Sequence, residues 1–243
     1  MTIPDTAMLL AAGLGKRMRP ITDTIPKPLV KVAGKSLIDW AFDALDAAGV
    51  ERVVVNVHYL ADQMDSHLGL RQTPAITVSD ERAELLDSAG GIIKALPLIG
   101  KDAFYILNAD TFWIDGPRPN LVRLAEAWDA SKMDILLMVA RMDQATGYEG
   151  CGDFTVAGDG RLQRFGEGDA SPYIYAGAAI VHPQLFEGKP VVRASLNRYF
   201  DEAISAGRLY GMPMQGHWLT VGTPEAIGEA EAAIARLGQE THG

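Results

Sequence analysis

The 243-residue chain has a single cysteine, Cys151. That excludes an internal disulfide and a zinc site built on cysteines. In its Gly-Cys-Gly setting the residue reads as a small, half-buried loop side chain. No apolar run approaches the roughly 18 residues that a membrane helix needs. The start of the sequence lacks the basic leader of a secretion signal, and Asp5 stands where that leader would be. The expectation is a cytoplasmic protein with no membrane partner. Positive charge is also scarce: 22 Lys and Arg face 31 Asp and Glu, for a net charge of -9. Nucleic-acid binding through counterion release needs a basic footprint, so no nucleic-acid partner is expected. The histidines at 58, 67, 182, 217 and 242 show no metal-ligand spacing, and no Gly-x-Ser-x-Gly elbow offers a nucleophile. Internal repeats, low-complexity tracts and linkers are missing too, which favours one compact domain.

What is present is a local concentration of cations. The stretch LLAAGLGKRMRPITDTIPKPLVKVAGKS, residues 9–36, holds Lys16, Arg17, Arg19, Lys27, Lys31 and Lys35 against Asp23 alone. Around it, β-rich runs at 7–11, 52–57, 76–79, 103–108 and 134–140 alternate with helical patterns at 36–48, 60–68, 89–96 and 121–130. That alternation predicts an α/β fold: a Rossmann-like, mixed and mostly parallel sheet with helices on both faces. Beyond Met142 the runs at 154–156, 161–165 and 173–181 are separated by Gly-Asp and Gly-Glu-Gly turns. They read as antiparallel or mixed strands of an inserted, substrate-side subdomain. Near the end, Thr223 is placed to cap a helix, Pro224 to open it and Glu225 to complement its dipole.

In an open α/β sheet ligands bind at the carboxyl ends of the strands. The segment 13–27 follows the first strand, so it lies at that edge. Glycines 13 and 15 let the backbone turn its N–H groups toward a ligand, while Lys16, Arg17 and Lys27 add full charges. Such a loop suits a polyphosphate. It is not a dinucleotide fingerprint, because the sixth position is Met18, nor a Walker loop, because Leu29 stands five residues before Gly34. Gly34-Lys35-Ser36 reads as the turn that starts the next helix. On charge alone, a solvated surface face and a phosphate cradle both remain open.

The string LAAGLGKRMRPIT, followed by PKPLVKVAGKSLIDW, closely resembles the signature of the sugar-1-phosphate nucleotidyltransferases. Their pattern is Leu-Ala-(Ala/Gly)-Gly-x-Gly-x-Arg-(Met/Leu)-x-Pro-x-Thr, then Pro-Lys-Pro-Leu, then Gly-Lys-Pro-Leu-Ile. Further similarity runs through VNVHYLADQM, LLDSAGGIIKAL, FYILNAD and GHWLTVGTPE, covering nearly the whole chain. The resemblance implies the nucleotide-diphospho-sugar transferase fold and one domain over 1–243. A nucleotide half would span about 1–110 and a sugar half about 111–222, with a C-terminal helix at 223–238. The implied substrates are a nucleoside triphosphate and a sugar 1-phosphate, and the implied metal is Mg²⁺. Length and tail, with GYEGCGDF, resemble the N-acetylmuramate α-1-phosphate uridylyltransferase subgroup of cell-wall recycling. A mannose-1-phosphate guanylyltransferase, another hexose-1-phosphate nucleotidyltransferase and an inactive nucleotide-binding regulator are the alternatives.

Carried over position by position, the resemblance gives Arg17 and Lys27 catalytic roles on the triphosphate and on the phosphates of both substrates. Nucleotide contacts fall to Leu10, Ala11, Ala12, Gly13, Leu14, Gly15, Lys16 and Arg17, and at the base to Asp87, Ser88, Ala89 and Gly90. Small residues at 88–90 would let the base approach the backbone. Lys27, Asn108, Gly152, Asp153, Glu167 and Gly177 fall where sugar-phosphate contacts arise. For Gly152 and Asp153, a turn-forming Gly-Asp is an equal reading. Asp110 matches the metal-binding aspartate. The chain departs from the pattern at Asp87, at Ala109, which replaces a glycine, and at Thr220, which stands where the second metal-binding aspartate is usual. A neutral hydroxyl is the weaker ligand, so the metal is expected to enter mainly with the nucleotide.

Overall fold

The computed structural model describes residues 3–240; His242 lies outside them. Strand β1 (Thr6–Leu10) sends Ala7 and Leu9 into the core on one face and Met8 into the core on the other. A small hairpin, β2 (Lys31–Val32) and β3 (Lys35–Ser36), leads into α1 (Leu37–Ala47). Ser36 caps that helix, its Oγ accepting from the Asp39 N–H at 3.3 Å, so Gly34-Lys35-Ser36 is indeed a helix-starting turn. The alternation continues with β4 (Arg52–Val57), α2 (Ala61–Leu68), β5 (Ala75–Asp80), α3 (Asp87–Ile99) and β6 (Phe104–Asn108). The second half comprises β7 (Thr111–Asp115), α4 (Asn120–Ala127), β8 (Ile135–Arg141), β9 (Ala145–Thr146), β10 (Phe154–Val156), β11 (Leu162–Arg164), β12 (Tyr173–Val181), α5 (Asn197–Ser205), β13 (Leu209–Pro213), β14 (Gly216–Thr220) and α6 (Glu225–Glu240).

The main sheet runs β5-β4-β1-β6-β12-β8-β13. β5, β4, β1 and β6 are parallel, β12 is antiparallel to both of its neighbours, and β8 and β13 are parallel to each other. The mostly parallel, mixed sheet expected from the alternation is therefore present. The inserted subdomain is not. β12 is nine residues long and mostly buried, a run that is stable only when covered on both faces. It lies between β6 and β8 in the main sheet, and the β10–β11 hairpin joins the same sheet alongside its first residue. The sheet was extended rather than interrupted.

Helices α1, α2 and α4 cover one face, with Phe42, Leu45, Met64, Leu121 and Trp128 in that core. α3 and α5 cover the other with Ile92, Ile99, Tyr199 and Phe200. A second sheet, β7-β14-β9, stands off the main one. Helix α6 closes its outer side through Ala226, Ala230 and Ala233 against Phe112 and Leu219. α6 opens at Glu225, one residue later than expected, with the Pro224 carbonyl accepting from the Ile227 N–H. Three parallel strands, β1, β4 and β6, end at the same edge, so the loops after Leu10, Val57 and Asn108 meet there. Cys151 is exposed on its loop rather than half-buried.

Candidate active site

At that edge a cavity of about 400 Å³ opens between the loop after β1 and the start of α3. Leu10, Ala11, Ala12 and Gly13 form one wall, Leu85, Asp87 and Ser88 the opposite one, and Asn108, Ala109 and Asp110 the floor. Ala109 is 2% exposed, its extra methyl taken into the core rather than crowding the cavity. Its N–H donates to the Leu10 carbonyl at 3.1 Å, tying the ends of β6 and β1 together.

Lys27 comes from the turn after Pro26 and is only 8% exposed. Its Nζ lies 2.7 Å from Asp110 Oδ2, a charge-assisted bond between a largely buried ammonium and a half-exposed carboxylate. Burying a lysine without a partner is strongly unfavourable, so Asp110 keeps the ammonium in place while no other anion is present.

The base segment is arranged differently from expectation. Asp87 begins α3 with φ of 62°, and its Oδ1 accepts from the Ser88 N–H. Asp87 and Ser88 face the cavity, but Ala89 and Gly90 lie buried behind them. The Ala89 and Gly90 N–H groups both donate to the Ala194 carbonyl, and Ala194 N–H donates back to Leu86. Ser88 Oγ accepts from the Leu196 N–H at 2.8 Å. The small residues at 89 and 90 thus admit this strap of chain, not a base: a Cβ on Gly90 would meet the Val192 carbonyl oxygen at 2.4 Å. The strap brings Arg193 to the cavity, where its guanidinium has no hydrogen-bond or ion-pair partner among the described residues. Sequence reasoning missed Arg193, because nothing in KPVVRASL signals its neighbours.

A larger cavity, about 870 Å³, adjoins the first and shares Leu10, Ser88, Asn108 and Asp110 with it. Its other walls come from 147–150, 153–154, Arg164, 174–175, 196–197, Phe200, Trp218, Thr220 and the start of α6. Trp218 is pinned by its indole N–H donating to the Ala176 carbonyl at 2.9 Å, and Tyr148 packs edge-on against it. Asp153 accepts from the Tyr148 hydroxyl and from the Tyr175 N–H, so both its oxygens hold the wall. Burial, then the Asp153 charge, pushes the Tyr148 hydroxyl above the usual phenol range. Burial does the same to Tyr175. The Tyr175 hydroxyl is the buried side-chain polar atom that lacks a partner among the described residues. Arg17 and Arg164 are the cations of this cavity, among the carboxylates of Asp110, Glu149, Asp153, Glu225 and Glu229.

The other expected contacts separate. Arg17 lines the larger cavity, its guanidinium beside the Gly222 backbone, while Leu14, Gly15 and Lys16 line neither. Thr220 lies beside Thr111 in the β14–β7 register, one strand from Asp110, and lines the larger cavity. Gly177 is behind the wall. Its φ of 77° and the Thr111 Oγ1 only 2.3 Å from where a Cβ would be give it a backbone role at the irregularity in β12. Gly152 packs against Pro172 and Glu167 is exposed; neither lines a cavity. No group of three His, Cys, Asp or Glu able to hold a metal exists among the described residues.

Two adjoining cavities at the carboxyl edge of a parallel sheet meet at Asp110, whose half-exposed carboxylate pairs with the largely buried Lys27. Residues 6–236 match the nucleotidyl transferase family model, and the chain belongs to that family. It is 41% identical to the N-acetylmuramate α-1-phosphate uridylyltransferase of Caulobacter vibrioides over 96% of this chain and 98% of that one. It is 33% identical to the enzyme of the same name from Neisseria meningitidis, over 93% and 96%. HddC from Yersinia pseudotuberculosis shares the fold, with a TM-score of 0.75 at 22% identity over 94% of this chain and 99% of that one.

Proposed function

We propose that the chain, as one nucleotidyltransferase domain, transfers a uridylyl group from UTP to N-acetylmuramate α-1-phosphate. Pyrophosphate is released and UDP-N-acetylmuramate, a nucleotide sugar of peptidoglycan recycling, is formed. The observation that carries this reading is the wall shared by the two cavities at Asn108 and Asp110, with Lys27 held 2.7 Å from the Asp110 carboxylate. The nucleotide half, about 1–110, supplies the smaller cavity for UTP. The sugar half, about 111–222, supplies most of the larger one for the sugar phosphate.

An oxygen of the sugar phosphate attacks the α-phosphorus as the bond to the β-phosphate breaks, and the electron pair leaves on pyrophosphate. The nucleophile is already an anion, so no general base is needed; positioning and charge neutralisation carry the rate. Lys27 exchanges the Asp110 carboxylate for phosphate oxygens of both substrates, and Arg17, on the wall of the larger cavity, meets with its guanidinium fork the phosphate end of the nucleotide that reaches past the shared wall. Arg193 adds a third cation at the nucleotide mouth, and the Tyr175 hydroxyl takes a hydrogen bond to the sugar.

One carboxylate and one hydroxyl, Asp110 and Thr220, are a thin protein donor set. They fit Mg²⁺, which keeps waters and takes phosphate oxygens alongside one or two carboxylates. When bound there, the ion supplies positive charge shared by the two phosphates. With so few protein ligands the free protein would hold the ion weakly, so direct titration should give a Mg²⁺ dissociation constant weaker than micromolar.

The decisive assay is pyrophosphate release with UTP or GTP against N-acetylmuramate 1-phosphate or mannose 1-phosphate. Turnover highest with UTP and the muramate substrate is the expected result. A preference for GTP with mannose 1-phosphate overturns the substrate assignment. Tight UTP binding with no release from any pair replaces the enzyme with a nucleotide-binding regulator.

A further inference from the structure

Glu81 follows β5 and is fully buried, at 0% exposed, with no ion pair among the described residues. Its oxygens accept from two amides: Asn56 Nδ2–H at 2.7 Å and the Leu86 backbone N–H at 3.1 Å. A buried carboxylate without a cation is strongly unfavourable, and an apolar side chain would be expected in its place unless the charge serves a purpose.

The other end of Asn56 shows the purpose. Its Oδ1 accepts from the Ala11 N–H at 2.8 Å, and Asn56, only 2% exposed, borders the smaller cavity with both ends of its amide already engaged. Three bonds therefore run from Ala11 through Asn56 and Glu81 to Leu86. Ala11 is the first residue of the cationic loop, and Leu86 immediately precedes Asp87 and Ser88. α3 closes over the pair with a bare glycine: a Cβ on Gly91 would lie 2.6 Å from Glu81 Oε1 and 2.7 Å from Asn56 Nδ2. Both groups to be held are N–H donors, so the relay must present an acceptor at each end and a donor–acceptor match in the middle. One amide and one carboxylate satisfy that requirement. Two amides leave a donor facing a donor, and two carboxylates leave acceptors facing each other until the pair takes up a proton, which changes the charge of the relay.

We infer that Asn56 and Glu81 are a positioning pair that locks the phosphate loop and the base segment in one register, and so governs nucleotide binding without touching the sugar phosphate. The inference rests on reading the smaller cavity as the nucleotide site. It explains why a charge is retained in the core, and why two consecutive glycines follow Ala89: Gly90 admits the strap and Gly91 admits the pair.

The requirement is symmetric, because amide and carboxylate can exchange places. Glu81→Gln or Asn56→Asp alone breaks the pattern, whereas the double variant Asn56→Asp/Glu81→Gln restores an acceptor at each end. Each single variant should raise KM for UTP by about 10- to 100-fold, the loss expected for a buried hydrogen bond to a charged group. KM for the sugar 1-phosphate should stay within about twofold, and the double variant should recover most of the UTP loss. A double variant no better than the worse single one, an unchanged KM for UTP, or both KM values rising together would each overturn the inference. Hydrogen exchange of the Ala11 and Leu86 amides gives a readout independent of substrate. Protection lost in the singles and regained in the double supports the relay even if UTP proves to be the wrong nucleotide; protection unchanged throughout rejects it.

Discussion

The two cavities are built in opposite ways. The smaller one takes half of its wall from two short stretches, 10–13 and 85–88, with Lys27, Pro28, Asn56, 108–110 and Arg193 closing it. The larger one collects residues from many separate segments between 147 and 229, together with Arg17 and Thr111, in addition to the wall it shares with the first. The smaller cavity is rigid by hydrogen bonding: Ala11, Leu86, Ala89, Gly90 and Ala109 all have their N–H groups committed. The larger one is held by aromatic packing around Trp218, Tyr148, Tyr175 and Phe200, and its wall buries the Tyr175 hydroxyl, which has no partner among the described residues. A phosphate chain is common to all nucleotides and is read best by fixed backbone dipoles and charges. A sugar differs from enzyme to enzyme and is read by replaceable side chains on many elements.

The largest effect should come from the group proposed to meet the phosphates of both substrates. Lys27→Ala should lower kcat by about 10³-fold or more while circular dichroism stays native, because charge stabilisation at the reacting phosphates is the main catalytic term. Comparable turnover in the variant would remove Lys27 from the mechanism. Next, Gly90→Ala forces a methyl against the Val192 carbonyl oxygen, so the strap must lift. KM for UTP should rise about tenfold and Tm should fall, since overpacking of this kind typically destabilises by about 1–3 kcal/mol. An unchanged Tm would show the strap to be more loosely seated than its hydrogen bonds imply.

Two smaller changes should separate the cavities cleanly. Arg193→Ala should raise KM for UTP about threefold to tenfold and leave the sugar phosphate unaffected, in line with an exposed charge–phosphate contact. Tyr175→Phe should do the reverse by a similar factor, without loss of stability, because removing an orphaned buried hydroxyl relieves rather than creates an unsatisfied group. If both substitutions shift both KM values, the division into nucleotide and sugar cavities fails. The smallest effect lies at alkaline pH. Burial raises the Tyr175 and Tyr105 hydroxyls above the phenol value of 10.0. The unfolded chain therefore releases these protons first, and stability, complete below about pH 10, should decline as pH rises further. Urea titrations from pH 8 to pH 11 would show it; a flat profile would contradict the burial of these phenols.

Much of the smaller cavity was legible because it is local. Gly13 and Lys27 lie within one cationic stretch, Asp110 follows an apolar run, and Asp87 and Ser88 open a helix. Even there the reading went astray where a distant segment intervened: Ala89 and Gly90 are small, but their neighbour is the strap carrying Ala194. Lys16 carries the right charge in the right stretch, yet it lines neither cavity. Of the residues expected at the sugar phosphate, Asn108 lines both cavities, Asp153 the larger one and Lys27 the smaller one. Gly152, Glu167 and Gly177 shape or flank the wall instead. Tyr148, Arg164, Tyr175, Arg193 and Asn197 gave no signal, since a tyrosine or arginine in a short strand or loop looks the same whether it faces solvent or a cleft.

The one-dimensional order of residues determined what repeats locally along the chain. It set the alternation of strands and helices, the glycine turn with its cations at a strand end, and the acidic remainder that makes this cluster the sole concentration of positive charge. Those properties follow from backbone sterics and from charge, which act between near neighbours. Only the tertiary structure decided that β12 enters the middle of the sheet, that the strap covers Gly90, and that Lys27 meets Asp110 from 83 residues away. It also decided that Glu81 can be buried at all. Contacts between distant segments depend on which buried surfaces fit and which donors find acceptors, and that is settled only when the whole core closes at once.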